Sequence, residues 1–187
     1  MNGQKNTGLI VGIIGLSVLL FAGLVWLVAR APSDPSRGQI GKSENVSFND
    51  AGAPFIGPED AKVVAHLYSD FQCPACKYAE PALQAVINVY KDRVRFVWKD
   101  FPLEQIHVNA RAAANAARCA QDQGKFWEYH DVLYGTQTDW EKLTNPTAKF
   151  TEAARVIGLN ESAFTSCYAS RAGNDHVSRD ISEGLAN

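Results

Sequence analysis

Apolar positions in the middle of the chain follow a strand pattern, then a helix pattern, then a strand pattern again. Residues 63–68 form a nearly continuous apolar and β-branched run, which predicts a strand buried on both faces of a parallel sheet. Four apolar residues at helical spacing i, i+3, i+4 and i+7 follow: Leu83, Val86, Ile87 and Tyr90. Residues 94–98 predict a second strand, so these elements form a β-α-β unit.

The second half of the chain carries helical patterns only. Apolar periodicity, with glycine at several boundaries, predicts five helices, at 111–123, 125–134, 148–157, 161–170 and 175–183. No strand signal follows Lys99. The pattern therefore predicts an α/β domain over 53–187, in which a helical segment of about 103–183 is added to the β-α-β unit.

The N-terminal part has a different composition. After a short tail of residues 1–7, residues 8–29 carry no charge and as a helix would reach roughly 33 Å, which predicts a transmembrane anchor. A cleavable signal peptide is the alternative, because Lys5 precedes the span and the sequence at 29–31 has the small-x-small form of a cleavage site. Residues 30–52 lack apolar periodicity and predict a flexible linker.

Charge and cysteine content narrow the function classes. The 187 residues include 18 Lys+Arg and 20 Asp+Glu, giving a net charge of −2, and the signs alternate along the chain, which argues against a nucleic-acid partner. Four cysteines are present, and two of them, Cys73 and Cys76, have the spacing C-x-x-C. That spacing is typical of redox and zinc sites.

The position of the C-x-x-C motif favours redox chemistry. Pro74 suits the first position of a helix, so Cys73 lies at the helix N-terminus, where unpaired N–H groups and the helix dipole stabilise a thiolate. Cys73 is therefore the predicted nucleophile and Cys76, one turn further, the resolving thiol. A zinc site would need two further ligands at matching spacing, and an inert structural disulfide is the other alternative. No metal or cofactor is predicted.

Several segments together resemble the DsbA-like thiol:disulfide oxidoreductases of the thioredoxin superfamily. The resemblance covers about residues 50–187 and is carried by the motif region 70–77, Pro81, the segment 99–103, and the helical segments at 117–120 and 123–130 with Phe164 and Cys167. It implies a thioredoxin-like fold with a helical insertion, in an oxidising compartment outside the cytoplasm. It also implies that disulfides are passed to exported proteins and that a quinone-linked membrane oxidase regenerates the Cys73–Cys76 disulfide.

Two departures from the family pattern bear on the site and on the fold. Many members have an acidic residue six positions before the first cysteine, where this chain has Leu67, so the proton acceptor for Cys76 is unassigned. The last proline is Pro146, well before the position of the family's cis-proline loop. The resemblance therefore predicts that the domain is incomplete, with the family's C-terminal hairpin and helix missing after residue 187.

Cys119 and Cys167 lie on two different predicted helices. In an oxidising compartment two free thiols could pair wrongly, so we predict a structural disulfide between them. Two buried, unpaired cysteines are the alternative.

Taken together, the sequence predicts a membrane-anchored oxidoreductase, outside the cytoplasm, that introduces disulfides into exported proteins. A reductase or isomerase of the same fold, kept reduced by a membrane electron donor, is the alternative within enzymes. From another class, a non-catalytic, membrane-anchored binding module is the alternative.

Overall fold

The structure is a computed structural model that describes residues 47–187 together with Gly23 and Trp26. The predicted tail (1–7), the predicted anchor (8–29) apart from these two residues, and most of the linker lie outside the described residues. Within the described part of the chain, no helix combines the length and the apolar character needed to cross a membrane.

Three strands and seven helices make up the described domain. In chain order they are β1 Phe55–Ile56, β2 Val63–Ser69, α1 Pro74–Tyr90, β3 Val94–Asp100, α2 Ala110–Gln121, α3 Phe126–Gly135, α4 Gln137–Trp140, α5 Thr147–Val156, α6 Glu161–Ser170 and α7 Asn174–Ala186. The predicted β-α-β unit and all five predicted helices are present, with shifts of a few residues at most of their ends. The two-residue β1 and the four-residue α4 were not predicted, because neither is long enough to show a period.

The described sheet has the strand order β1-β3-β2. Strands β2 and β3 pair in parallel from Val63 opposite Val94 to Ser69 opposite Asp100, as a strand-helix-strand connection allows. Strand β1 pairs antiparallel with β3, with Phe55 opposite Val97. Strand β3 is therefore the central strand of the described sheet.

The burial of β2 differs from the prediction. Val63 and Val64 are 58% and 38% exposed, whereas Val97 and Trp98 of β3 are 1% and 0% exposed. The prediction that residues 63–68 are buried on both faces is therefore wrong at the start of the strand. The first residues of β2 are exposed because β2 lies at an edge of the described sheet. A continuous apolar run does not show whether a strand lies at the edge or in the centre of a sheet.

The helical part packs through small and aromatic residues. Helix α2 buries six of its alanines almost completely, which allows neighbouring helices to approach closely: Ala110, Ala113, Ala114, Ala116, Ala117 and Ala120. Cys119 of α2 forms a disulfide with Cys167 of α6, with 5.7 Å between the Cα atoms. This is the pairing that the sequence favoured over two free thiols. Helix α7 continues to Ala186, three residues beyond the predicted end at 183.

Candidate active site

The C-x-x-C motif lies where the chain leaves β2 and enters α1. Cys73 is the N-cap residue, with φ −71° and ψ 121°, and Pro74 begins the helix as predicted. The backbone N–H of Cys73 donates to the carbonyl oxygen of Asp70 (3.1 Å), and its own carbonyl accepts from Lys77 N–H (3.1 Å). Cys73 and Cys76 are both free thiols and both half-buried. The motif thus lies at the N-terminal end of α1, and Cys73 is the residue that immediately precedes the helix.

The two thiols differ in their surroundings. Burial raises the pKa of the Cys76 thiol, and its hydrogen bond to Cys73 raises it further. The Ser69 hydroxyl and the backbone of Asp70 act in the opposite direction, but burial dominates. Cys76 therefore keeps its proton at neutral pH and donates it in a hydrogen bond to Cys73. The two sulfurs of the motif therefore differ: Cys76 is held as a thiol, and Cys73 lies at the N-terminus of α1.

Asp70 fixes the loop that precedes the motif. Its side chain is 3% exposed, and its carboxylate accepts hydrogen bonds from Gln72 N–H (2.7 Å) and Leu103 N–H (2.9 Å). The same carboxylate is 2.6 Å from Nδ1 of His107. Asp70 thus ties the motif loop to the loop between β3 and α2.

The side chains of Gln72 and Gln137 hold the backbone around Cys73, the predicted nucleophile. Gln72 accepts from Asn109 N–H (2.7 Å) and donates to the carbonyl of Glu141 (2.7 Å). Gln137 donates to the carbonyls of Phe71 (2.7 Å) and Cys73 (3.2 Å). Sequence reasoning missed Asn109, Gln137 and His107 as site residues, because they are 34 to 64 positions from Cys73 and carry no spacing signal.

An aromatic cluster lies behind the motif. His130 is fully buried, and its ring packs against five aromatic rings: Phe71, Trp98, Phe126, Trp127 and Tyr134. Its Nδ1 is 2.9 Å from Asp131, while Nε2 is 3.6 Å from the Glu80 carboxylate. His130 is thus a packed residue of the core. The cluster gives α1 a rigid support on the side of Cys76.

A hydroxyl pair lies beside Cys76. The hydroxyls of Ser69, the last residue of β2, and Tyr134 of α3 are 2.8 Å apart. The Tyr134 hydroxyl also donates to the carbonyl of Asp70 at 3.3 Å. These groups bring the strand, the motif loop and the helical part together at one sulfur.

The described part of the chain contains no set of side chains that could act together as metal ligands. There, no group of three or more His, Cys, Asp or Glu side chains is arranged to hold a metal ion. The disulfide between Cys119 and Cys167 lies between α2 and α6 and belongs to the helical scaffold.

Solved structures with the same fold include redox proteins. One is a thioredoxin-like oxidoreductase from Silicibacter pomeroyi (23% identity, TM-score 0.62, covering 74% of this chain and 76% of that one). Another is oxidised BdbD from Bacillus subtilis (20% identity, TM-score 0.64, covering 74% and 77%). A third is α-DsbA1 from Wolbachia pipientis (17% identity, TM-score 0.62, covering 72% and 68%). At these identities the likeness establishes the fold.

The curated proteins that match in sequence are named as antiporters and not as redox proteins. The Na(+)/H(+) antiporter NhaA 3 of Salinispora tropica is 32% identical over 190 residues, which cover 95% of this chain and 27% of that protein. The Na(+)/H(+) antiporter NhaA 1 of Mycolicibacterium gilvum is 33% identical over 136 residues, or 70% and 21%. The chain therefore spans about a quarter of the length of these relatives.

The family model described as Thioredoxin matches residues 49–186, which include the whole sheet, the C-x-x-C motif and the helical part. The fold comparisons agree with that match, since their DsbA-type structures share the arrangement of sheet and helices. This chain belongs to the thioredoxin family and has the fold of its DsbA-like members.

Proposed function

We propose that this chain is a thiol:disulfide oxidoreductase that passes a Cys73–Cys76 disulfide to exported proteins. The observation that carries the proposal is the contrast between the two sulfurs: Cys73 caps the open end of α1, and the half-buried Cys76 holds a proton one turn further. A thiolate at a helix N-terminus is both a good nucleophile and a good leaving group, which is what reversible disulfide exchange requires.

The reaction follows from these positions. A substrate thiolate attacks Sγ of Cys73 in the disulfide form; a substrate–Cys73 disulfide forms, the Cys73–Cys76 bond breaks, and the electron pair goes to Cys76. A second substrate thiolate then attacks the substrate sulfur of the mixed disulfide, and Cys73 leaves as a thiolate. The substrate dithiol loses two electrons and the Cys73–Cys76 pair gains them.

Oxidation of substrates is the direction we favour. Stabilising a thiolate at Cys73 stabilises the reduced pair, and a stable reduced pair makes the disulfide form an oxidant. A quinone-linked membrane oxidase would then reoxidise the pair. The Cys119–Cys167 disulfide supports a location outside the cytoplasm, because structural disulfides persist in oxidising compartments. The apolar segment 8–29 would hold the domain at the outer face of the membrane.

A redox titration separates this proposal from a reductase or isomerase. The full chain is equilibrated in glutathione buffers of known potential, and the Cys73 and Cys76 thiols are quantified by alkylation and mass. We expect a potential well above the roughly −270 mV of thioredoxin and nearer the roughly −120 mV of a strong oxidant. A value near that of thioredoxin would instead support the reductase.

A non-catalytic binding module is the second candidate, and the names of the curated relatives favour it. In those relatives the matching region is a minor part of proteins described as Na(+)/H(+) antiporters, so the domain could serve a membrane transporter as an accessory part. The Cys73→Ser variant distinguishes the two candidates. Loss of thiol exchange with reduced, unfolded substrate proteins supports the enzyme, whereas a wild-type chain that catalyses no exchange supports the module.

A further inference from the structure

Cys76 must leave as a thiolate each time the disulfide is opened, and its surroundings oppose that charge. The sulfur packs against the core cluster behind α1, and burial is the main cause of its raised pKa. The position six residues before Cys73 is Leu67, which offers neither a charge nor a hydrogen bond. A leaving group of this kind needs a hydrogen-bond donor from elsewhere in the fold.

The hydroxyl of Ser69 is such a donor. It lies close enough to the Cys76 sulfur to lower the pKa of that thiol, and it is 2.8 Å from the Tyr134 hydroxyl. Ser69 ends β2 and Tyr134 lies in α3, so the three groups come from three elements that the fold holds together. The sulfur, the serine and the tyrosine can therefore form one hydrogen-bonded chain.

The direction of that chain follows from the charge on Cys76. Burial raises the pKa of the Tyr134 phenol far above its usual range, so the phenol keeps its proton and can donate. A Cys76 thiolate only accepts hydrogen bonds, and bonds to a charged acceptor are about twice as strong as neutral ones. Formation of the thiolate therefore orients the chain from Tyr134 to Ser69 and from Ser69 to Cys76. The Tyr134 proton then turns from the Asp70 carbonyl, 3.3 Å away, to the nearer Ser69 oxygen, 2.8 Å away.

We propose that Ser69 is a catalytic hydrogen-bond donor to the Cys76 thiolate, and that Tyr134 is a positioning residue that directs the Ser69 proton toward the sulfur. The inference rests on the proposed function, because it assigns the group that stabilises Cys76 in thiol exchange. When the Cys73–Cys76 bond breaks, the electron pair on Cys76 is held by the Ser69 O–H. When Cys76 later attacks Cys73 to expel a bound thiol, the same bond keeps part of Cys76 in the thiolate form.

Other titratable groups around this chain are engaged elsewhere. The Glu80 carboxylate, one turn after Cys76 on α1, accepts from Gln84 Nε2 at 2.8 Å and faces His130 at 3.6 Å. The Asp70 carboxylate is held by His107 and by the backbone of the two loops it joins. Cys73, on the same helix, is the remaining group that faces the sulfur of Cys76.

The test isolates the step in which Cys76 is the nucleophile. Reduced full-length chain is mixed with oxidised glutathione: the Cys73 thiolate attacks one glutathione sulfur, a mixed disulfide forms and glutathione thiolate leaves. The Cys76 thiolate then attacks Sγ of Cys73, the Cys73–Cys76 bond forms and the second glutathione thiolate leaves. Acid-quenched mass analysis from pH 6 to about 11 gives the rate of this second step, and its pH midpoint reports the ionisation of Cys76.

Ser69→Ala is expected to raise that midpoint by about one pH unit, because a hydrogen bond to a charged group is lost. Below the midpoint the rate should fall about threefold rather than tenfold, since a more basic thiolate is also a better nucleophile. Tyr134→Phe should raise the midpoint by a smaller amount, and Ser69→Thr, which keeps a hydroxyl, should restore it.

The matched control is Thr136→Val. Its hydroxyl lies at the end of the same helix as Tyr134 and donates to the carbonyl of Val132 at 2.7 Å, so its loss should leave the midpoint unchanged. A wild-type midpoint in Ser69→Ala overturns the proposal, including when that variant is less stable to heat, because a structural role alone lowers stability without moving the midpoint. If Ser69→Ala does not fold, an unshifted midpoint in Tyr134→Phe overturns it. A wild-type chain that forms no mixed disulfide at Cys73 refutes the proposed function instead.

Discussion

At the scale of single residues, Cys73 and Cys76 have different surroundings because they lie three positions apart on one helix. Cys73 is the N-cap residue of α1, where the N–H groups of the first turn have no helical partners, whereas Cys76 lies inside the helix and packs against the hydrophobic core. Geometry thereby gives the two thiols different surroundings, and the roles proposed for them rest on that difference. Gln137 and Asp70 keep the backbone of the motif in place, so that this difference persists.

The division of roles predicts opposite results for two serine variants. Cys76→Ser leaves Cys73 able to attack a substrate disulfide but removes the thiol that would release the product, so mixed disulfides with exported proteins should accumulate. Cys73→Ser should trap none. Non-reducing gels with identification of the trapped adducts make the comparison. Equal trapping by both variants, or trapping by Cys73→Ser only, would show that the roles are assigned wrongly.

At the scale of elements, a buried ion network joins the segment before β1, strand β3 and helix α7. Lys99 of β3 has a fully buried side chain, and its Nζ is 2.8 Å from Glu183, 3.2 Å from Asp50 and 3.8 Å from Asp180. Arg118 of α2 joins the network through Asp180 at 2.6 Å. The last residues of the predicted linker, up to 52, are thus in contact with the domain through Asp50.

The network predicts a large cost for removing its central cation. Lys99→Met leaves the Glu183 carboxylate without its cation, while Asp50 keeps Arg95 and Asp180 keeps Arg118. The free energy of unfolding should therefore fall by about 1.5 to 3 kcal/mol, the contribution of hydrogen bonds to a charged group. Urea unfolding followed by circular dichroism measures the change. The control is Lys149→Met, which breaks a surface pair with Glu152 and should have no measurable effect. Equal stability of the two variants would mean that the network contributes nothing.

The same network predicts how stability changes in acid. Burial opposes the charge on Asp50 and Glu183, but their hydrogen bonds and cations outweigh it, and the pKa of each carboxyl is lowered. Their contribution is therefore present above the ordinary carboxyl pKa of about 4 and is lost as the pH falls through the lowered values. Burial raises the pKa of Asp180, which acts in the opposite direction.

The urea midpoint should accordingly fall between about pH 5 and pH 3, and Glu183→Gln should flatten that fall because it removes one of the two lowered groups. Asp180→Asn should make the fall steeper, since it removes the group whose contribution grows in acid. Parallel curves for the wild type and Glu183→Gln would contradict the assignment.

At the scale of the whole molecule, local signals predicted the elements, while contacts distant in sequence could not be predicted. Helix α6 begins and ends at the predicted residues, 161 and 170. Its start is fixed locally by Asn160, an N-cap whose side chain accepts from Ala163 N–H at 2.9 Å. Cys73 was placed at the N-terminus of α1 by Pro74. The pairs that complete the site, such as Ser69 with Tyr134, join residues 65 positions apart that no local pattern connects.

The helical part is closed by one covalent bond, which gives a final prediction for the molecule as a whole. The Cys119–Cys167 disulfide links residues 48 positions apart, so reducing it restores conformational freedom to the unfolded chain and should lower the free energy of unfolding by at most about 4 kcal/mol. The measurement uses a Cys73→Ala, Cys76→Ala double variant. Of the four cysteines it keeps only Cys119 and Cys167, so no other disulfide can form within the chain. The oxidised and reduced forms of this variant differ by that bond alone, and their stabilities are compared by urea unfolding. The comparison avoids the cavity that replacing the buried Cys119 would create. Because the bond lies in the helical scaffold, the reverse variant, Cys119→Ala with Cys167→Ala, should keep the redox potential of the motif while losing stability. Identical unfolding curves for the oxidised and reduced forms would show that packing alone holds α2 against α6.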